Sequence, residues 1–412
     1  MNSEVKIDTH SPVLTSVEGQ SNLPRYFALA FKSLQSARKG TLDIVLPDQR
    51  VFRVAAPDPE PRAEIHVHDQ DAFARLIREG DLGFSEAYLD GAWTTPDLQS
   101  FMDYVHADPE AVFDGFPGFK LLRAYEKLRF FLQSNTKGQA RKNIAYHYDL
   151  GNDFYSLWLD PTMTYSSALF HSGTESLSEA QRSKYAAMIE ALGVSKGDHV
   201  LEIGCGWAGF AEFAAREHGV KVTGITISQA QLDYGKARIA TAGLSDLVDL
   251  QLCDYRDLEG QYDGVVSIEM FEAVGERYWP TYFDVVKRVL KPQAKACLQI
   301  ITVADHRWET YRRGVDFIQK YIFPGGMLPA PKILAQRLKE AGLSEVSMIN
   351  FAQSYGKTLR MWRKTFIEKW NDIEPMGFDT RFYKMWDFYF TSCASTFESG
   401  NCDVIQVTIQ KS

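Results

Sequence analysis

A glycine-rich turn at residues 202–209 is the most specific chemical signal in this sequence. It reads Glu-Ile-Gly-Cys-Gly-Trp-Ala-Gly, so Gly204, Gly206 and Gly209 form a G-x-G-x-x-G pattern. Glycines at this spacing allow a tight turn and let a ligand approach the backbone closely. The turn therefore predicts a binding site for a nucleotide-like cofactor.

Two cofactors compete for this turn. A dinucleotide enzyme would carry an acid about 20 residues further on, where it holds the ribose. That region reads Gly-Ile-Thr-Ile-Ser from Gly224 to Ser228 and contains no acid. The missing acid, together with the E-x-G-x-G start at Glu202, favours S-adenosylmethionine over NAD. A glycine turn that binds nothing is the remaining alternative.

Alternating strand and helix patterns after residue 194 would position this turn. Seven segments read as strands: DHVLEIG, VKVTGIT, LVDLQLC, YDGVVSIEM, KACLQIITV, SEVSMINF and DVIQVTIQ. Helical patterns separate them, which predicts an α/β fold with a doubly wound, seven-stranded, mostly parallel sheet. Such a sheet binds its ligand at the carboxyl ends of its strands.

Composition and charge exclude several classes of protein. The chain has 412 residues, 45% hydrophobic and 24% charged, as a folded globular protein does. Its formal charge of −8 argues against a nucleic-acid binder. Five scattered cysteines fit a reducing compartment, and we recognise neither a secretory signal nor an apolar run long enough to span a bilayer. We expect a cytoplasmic protein.

The segment 119–142 departs from this acidic character. It contains seven Lys and Arg residues against the single acid Glu126, interleaved with aromatic and aliphatic residues. A basic, aromatic-rich helix suggests peripheral contact with an anionic membrane surface. An interdomain helix with a solvated basic face explains the pattern equally well.

Longer motifs resemble the cyclopropane-fatty-acyl-phospholipid synthase family, which includes the mycolic acid cyclopropane synthases. In chain order they are GDLGFSEAYLDGAW, YHYDLGNDFY, LDPTMTYS, LEIGCGWAGF, TGITIS, DYRDL, SIEMFEAVG and KYIFPGG. The resemblance implies a class I S-adenosylmethionine-dependent methyltransferase that acts on the cis double bonds of unsaturated phospholipid acyl chains. The expected product is a cyclopropane fatty acid, formed through a carbocation.

The resemblance also suggests a domain plan. We expect a flexible N-terminus at 1–22, a smaller α+β domain for lipid contact or dimerisation at 23–118, the basic linker helix at 119–142, and the methyltransferase domain at 143–412. A homodimer held at the inner face of the membrane would fit this plan.

The resemblance implies the residues of the cofactor site. Thr226 and Gln231 take the place of the ribose acid, which accounts for the missing carboxylate. The full implied set is Tyr165, Ser166, Glu202, Gly204, Gly206, Thr226, Gln231 and Tyr255. Without the resemblance, several of these would read as ordinary structural positions.

A second implied set lies around a bicarbonate ion that removes a proton. Its positions are Glu272, Tyr355, Ile301 through its backbone, Ser167 and Gln299. Ser167 stands where the family often has Cys, and Gln299 where it often has His. Both can hydrogen-bond an anion, but Gln cannot carry a titrating proton as His can. We predict no metal site.

Glu269 is a third departure, because several family members have Gly at this position. Its carboxylate follows the fourth predicted strand and lies three residues before Glu272. Two neighbouring carboxylates raise one pKa and could supply a base. The alternative is that Glu269 only orders the loop.

These departures leave the end product open. The cation could lose a proton from the added methyl and close a ring, or lose one from a neighbouring carbon and leave a methyl-branched or methylene-bearing chain. Aromatic faces would stabilise the cation, with Tyr165, Phe271, Tyr321 and Phe323 as candidates. Two alternatives from other classes are a small-molecule methyltransferase and a non-catalytic lipid-binding protein.

Overall fold

The structure is a computed structural model that describes residues 12–112, 135–140 and 150–411. Contacts within these ranges divide the chain into two units. The first unit takes its described residues from 12–112, Gly314–Phe317 and Asp379–Ser399, and the second unit contains the others. Most of the basic segment 119–142 and the Tyr146–Asp149 part of the YHYDLGNDFY motif lie outside the described residues.

The first unit is built on a five-stranded sheet. Its strands are β1 (Val13–Leu14), β2 (Lys39–Val45), β3 (Val51–Ala55), β4 (Asp58–Val67) and β5 (Trp93–Thr94), in the order β1-β3-β2-β4-β5. Its helices are Phe27–Leu34, Asp71–Glu79, Asp81–Leu89, Leu98–Ala107, Pro109–Val112 and Thr380–Glu398. Strand β1 pairs with β3 and lies within the segment 1–22, which we expected to be flexible. The expectation came from the polar sequence of this segment, which does not reveal backbone pairing.

The helix Thr380–Glu398 lies in the first unit, although the expected domain plan gave 143–412 to the methyltransferase domain. It packs against the helix Leu98–Ala107, where the Gln99 amide donates to Ser395 Oγ at 2.7 Å. Phe388 contacts Tyr88 at a ring-centroid distance of 5.9 Å. An amphipathic pattern shows that a helix buries one face, but it does not show which unit covers that face.

The second unit contains the predicted seven-stranded sheet. Its strands are β6 (His199–Ile203), β7 (Lys221–Thr226), β8 (Val248–Leu252), β9 (Tyr262–Ile268), β10 (Leu290–Val303), β11 (Leu343–Asn350) and β12 (Cys402–Lys411). Their order is β11-β12-β10-β9-β6-β7-β8, and β12 runs antiparallel to both of its neighbours while the other pairs are parallel. The doubly wound, mostly parallel fold class is confirmed.

Apolar cores cover both faces of this sheet. Val265 and Leu298 belong to one core cluster, while their neighbours Val266 and Cys297 belong to the other. Successive strand residues point to opposite faces, so the central strands are buried on both sides. The α-helices of this unit that cover the sheet or connect its strands are Asn152–Ser156, Leu177–Leu192, Gly209–His218, Gln229–Thr241, Trp279–Val289, Trp308–Arg313, Phe317–Tyr321, Pro331–Glu340, Ala352–Glu368 and Trp370–Ile373.

Candidate active site at the carboxyl ends of β6, β9 and β10

The glycine turn follows β6 directly and adopts a backbone that suits glycine. Gly204 has φ of 84° and Gly206 has φ of 51°. A Cβ on Gly204 would come within 2.9 Å of Met270 Cγ, whereas a Cβ on Gly206 would meet no atom of the described residues within 4 Å. Gly204 is therefore required by close packing, and Gly206 leaves open space where a ligand can reach the backbone.

Three predicted cofactor residues lie at or next to the carboxyl ends of β6 and β7. The carboxylate of Glu202 is buried in β6, and this burial raises its pKa well above the usual range. Thr226 donates its hydroxyl to Gln231 Oε1 at 2.8 Å, and both side chains are buried. The Thr226–Gln231 pair lies at the place where a dinucleotide enzyme would present its ribose acid.

The remaining predicted cofactor residues lie around the turn. The ring of Tyr155 contacts two other rings. Its centroid lies 5.4 Å from that of Tyr165 and 5.1 Å from that of Trp207, which belongs to the glycine turn. Ser166 Oγ accepts a hydrogen bond from Lys184 Nζ at 2.8 Å. Tyr255, which follows β8, packs edge-on against Tyr282 at 5.6 Å.

Glu269 gathers three of the predicted catalytic residues around one carboxylate. Its Oε1 accepts hydrogen bonds from the Ser167 backbone N–H and from Gln299 Nε2, both at 2.8 Å. Its Oε2 accepts from the Tyr355 hydroxyl at 2.6 Å. Burial raises the pKa of Glu269, while the hydrogen bonds and the charge of Lys184 oppose that rise.

Glu272 forms a second, less well satisfied carboxylate nearby. Its Oε1 accepts a hydrogen bond from the Ile301 backbone N–H at 2.6 Å. Its Oε2 is inaccessible to solvent and has no hydrogen-bond partner among the described residues. Burial, and then the neighbouring charge of Glu269, raise the pKa of Glu272 to about 8. All six predicted catalytic residues thus lie in two adjacent hydrogen-bonded groups.

Lys184 is a charged residue of this site that the sequence analysis missed. It lies fully buried on the helix Leu177–Leu192, and burial lowers its pKa to about 7 against the attraction of Glu269, Asp160 and Glu202. The available signal was its position, since Lys184 shares a helix face with the buried residues Ala180 and Met188. A lysine within such an apolar stripe needs a buried partner.

The four aromatic candidates divide between core and site. Phe271 is stacked on Trp279 at 5.3 Å inside the core, which excludes it from contact with a substrate. The ring centroids of Tyr165 and Phe323 lie 6.2 Å apart, and the side chain of Phe323 is 36% exposed. Tyr321 has the ammonium group of Lys320 beside its ring at 5.7 Å. The structure therefore brings Tyr165 and Phe323 together and leaves Phe271 in the core.

Comparison with known proteins identifies this arrangement. The family model of mycolic acid cyclopropane synthetase matches residues 135–407. The chain belongs to this family. Tuberculostearic acid methyltransferase UfaA1 of Mycobacterium tuberculosis is 38% identical over 362 residues, which cover 85% of this chain and 84% of that protein. Cyclopropane-fatty-acyl-phospholipid synthase of Escherichia coli is 36% identical over 381 residues, 90% of this chain and 96% of the relative.

Solved structures agree with this membership. Mycolic acid cyclopropane synthase CmaA1 complexed with SAH and CTAB is 30% identical with a TM-score of 0.63, covering 66% of this chain and 98% of that chain. The cyclopropane synthase MmaA2 from Mycobacterium tuberculosis is 28% identical with a TM-score of 0.62, at the same coverage. The chain is therefore a methyltransferase of the cyclopropane-fatty-acyl-phospholipid synthase type, and its cofactor is S-adenosylmethionine.

The site fits S-adenosylmethionine but does not fit the implied bicarbonate. Positive φ angles and open space at the glycine turn suit a ligand that lies against the backbone. In contrast, Tyr355, Gln299 and the Ser167 backbone already donate to Glu269, and Ile301 donates to Glu272. The Ser167 hydroxyl donates to the carbonyl of Ala168 at 2.9 Å. An added anion would lose these donors and meet two carboxyl groups.

Within the described ranges, no helix combines the length and apolarity needed to cross a bilayer. The His, Cys, Asp and Glu side chains of the same ranges form no cluster of three or more that could bind a metal ion.

Proposed function

We propose that this protein transfers a methyl group from S-adenosylmethionine to the cis double bond of an unsaturated acyl chain in a membrane phospholipid. One observation carries the proposal. The glycine turn and the carboxylate pair are direct neighbours, because a Cβ on Gly204 would touch Met270, which follows Glu269 directly and lies two positions before Glu272. Cofactor site and proton-accepting groups therefore lie at the same edge of the sheet.

The residues of the site suit an electron-poor intermediate. S-adenosylmethionine, when bound at the glycine turn, supplies a methyl group on a sulfonium that the π electrons of an alkene can attack. The acyl chain then carries a positive charge, and the ring faces of Tyr165 and Phe323 attract such a charge. Packing of Tyr165 against Trp158 and Trp362 fixes its ring. A carboxylate finally accepts a proton from the chain.

Ring closure is the end state that the family supports. A cyclopropane forms when the proton leaves the added methyl group and the freed electron pair bonds to the cationic carbon. The relative from Escherichia coli is named for such a product. The proposed main product is accordingly a cyclopropane fatty acid.

A second end state has a specific observation in its favour. Glu269 and Gln299 replace the residue types that resemblance leads one to expect, and they bind each other at 2.8 Å. A base that differs from the family pattern can remove a proton from a neighbouring chain carbon instead, which leaves a methyl-branched or methylene-bearing alkene. The relative UfaA1 is named as a methyltransferase rather than a cyclopropane synthase.

Access to the lipid would occur at the membrane surface. We propose that the protein is cytoplasmic and binds the inner, anionic face of the membrane as a peripheral protein, with a homodimer as its assembly. The basic segment 119–142 supports this through its composition. Lys137, its one basic residue within the described ranges, forms an ion pair with Asp257.

Purified protein and defined lipids test the proposal. Vesicles of an anionic, monounsaturated phospholipid should yield S-adenosylhomocysteine and an alkylated lipid, whereas vesicles of the saturated analogue should yield neither. Turnover on soluble amines or alcohols without lipid would instead indicate a small-molecule methyltransferase. Cofactor binding with no turnover on either class would indicate a non-catalytic lipid-binding protein.

A further inference from the structure

We propose that the Glu269 carboxylate replaces an exchangeable anion and is itself the proton acceptor, so that turnover needs no bicarbonate. The inference rests on the proposed function, because it assigns the base of the same reaction. It goes further in naming one atom group of this chain as that base and in predicting which co-reactant the protein does without.

The Glu269 carboxylate occupies the position at which the resemblance implies an anion. Three of the five positions implied for the anion donate to Glu269, namely Tyr355, Gln299 and the backbone of Ser167. The orientation of the Gln299 amide is fixed, because its Oε1 accepts a hydrogen bond from Gln406 Nε2 at 3.1 Å. The side chain of Glu269 therefore occupies a pocket of donors that is built for a negative charge.

The backbone of Glu269 carries the second step. Its φ is 49°, in the left-handed region that glycine adopts freely. A residue with a Cβ costs about 1–2 kcal/mol in this conformation. Glutamate is a poor choice for the loop backbone alone, so the position requires its carboxylate. A role limited to ordering the loop does not explain this residue.

Ionisation carries the third step. Glu269 receives three hydrogen bonds and faces the charge of Lys184, whereas Glu272 receives a single hydrogen bond from the described backbone. Burial raises the pKa of both groups. At Glu269 three donors and the charge of Lys184 oppose that rise, whereas at Glu272 the charge of Glu269 adds to it and only backbone N–H groups oppose it. Glu269 is therefore the ionised member of the pair and Glu272 the neutral one, as unequal environments divide acid from base.

The proton transfer balances without an added co-reactant. A carboxylate offers about four lone-pair positions, and the three donors to Glu269 use three of them. The remaining position on Oε2 accepts a proton from a C–H bond of the cationic chain. The electron pair of that bond forms the ring C–C bond or a C=C bond, so cation and carboxylate both become neutral. The acid returns its proton to water before the next turnover.

Bicarbonate dependence tests this proposal in the unmodified protein. We expect the rate on unsaturated phospholipid vesicles to be the same in carbon-dioxide-depleted buffer and after bicarbonate is added. Glu269→Gln should lower kcat about 100-fold or more, the usual contribution of a general base. Glu269→Gly, which removes the carboxylate and suits the positive φ of this position, should be inactive in depleted buffer and regain activity with bicarbonate. Glu345→Gln, on the exposed edge strand β11, is the matched control and should behave as the unmodified protein.

Binding measurements keep this test independent of turnover and folding. Carbon-13 NMR of labelled bicarbonate should show broadening with Glu269→Gly and none with the unmodified protein. S-adenosylhomocysteine binding by calorimetry reports whether each variant is folded. Bicarbonate that binds to or stimulates the unmodified protein would overturn the proposal. An unmodified protein that neither binds bicarbonate nor alkylates any lipid would contradict the proposed function instead.

Discussion

The Tyr355 hydroxyl donates a hydrogen bond of 2.6 Å to Glu269 Oε2. This contact joins the helix Ala352–Glu368 to the residue that follows β9, two elements that are 86 positions apart in the chain. A hydrogen bond to the charged form of a carboxylate lowers its pKa. Tyr355 is therefore expected to keep Glu269 ionised at neutral pH.

Tyr355→Phe should raise the pKa of Glu269. Glu269 accepts a proton only when it is ionised, so activity falls as pH falls through its pKa. We expect the acid limb of the pH–rate profile to move to higher pH and the rate at neutral pH to fall about tenfold, equivalent to about 1.4 kcal/mol. Tyr104→Phe removes a buried hydroxyl of the first unit that has no hydrogen-bond partner among the described residues, and it serves as the control. An unmoved acid limb would mean that Tyr355 acts only through packing.

Lys184→Met should also move the acid limb of the pH–rate profile to higher pH, because it removes a positive charge near Glu269. The charge of Lys184 lowers the pKa of Glu269 from within the buried site, and methionine keeps most of the side-chain volume without that charge. The pH–rate profile should shift upward, while S-adenosylhomocysteine binding shows that the fold is retained. Arg182→Met, a change at an exposed position on the same helix, should leave the profile unchanged.

Glu272→Gln should stabilise the protein in a pH-dependent way. The pKa of Glu272 is raised from 4.5 to about 8, so the folded protein binds one more proton than the unfolded chain between these values. The free energy of unfolding of the unmodified protein therefore falls as pH rises through this window, by at most about 1.4 kcal/mol per pH unit. The thermal midpoints of the two proteins should coincide near pH 4.5 and diverge towards pH 8. A constant difference would show that Glu272 is ionised in the folded state throughout.

Substitutions in the glycine turn should separate folding from cofactor binding. Gly204→Ala adds a Cβ at 2.9 Å from Met270 and should lower the thermal midpoint strongly. Gly206→Ala adds a Cβ in open space, at a conformational cost of about 1–2 kcal/mol, and should mainly weaken S-adenosylhomocysteine binding. Calorimetry and thermal unfolding measure both effects. Met270→Ala in the Gly204→Ala background should recover part of the lost stability; no recovery would mean that strain at Gly204 alone is responsible.

The sequence predicted the sheet because each of its strands has a local signature. Alternating strand and helix patterns, with a glycine turn after β6, identified the fold class and the edge of the sheet that binds the cofactor. Motif resemblance grouped Gln299 and Tyr355 with Glu272, and the position of Glu269 after the fourth strand placed it beside Glu272. The hydrogen bonds among them could not be predicted, since side-chain direction depends on tertiary packing.

Other features had weak local signals or none. Lys184 reads as a surface residue unless its position within an apolar helix stripe is noticed. Phe271 looked suitable for cation stabilisation, but contacts with Trp279 and Phe283 place it in the core. The helix Thr380–Glu398 belongs to the first unit through contacts such as Gln99–Ser395, almost 300 residues apart in sequence. Long-range packing of this kind is absent from any local pattern.

Mass spectrometry of phospholipid fatty acids tests the central claim most directly. Cells that express the unmodified protein would be compared with cells that express Glu269→Gln. We predict a gain of one CH₂ on monounsaturated chains that is lost in the variant. Mild hydrogenation then identifies the product, because a cyclopropane resists it while a methyl-branched or methylene-bearing alkene takes up one H₂. Monounsaturated chains without any CH₂ gain, in cells where the unmodified protein is folded and abundant, would contradict the claim that this protein alkylates phospholipids.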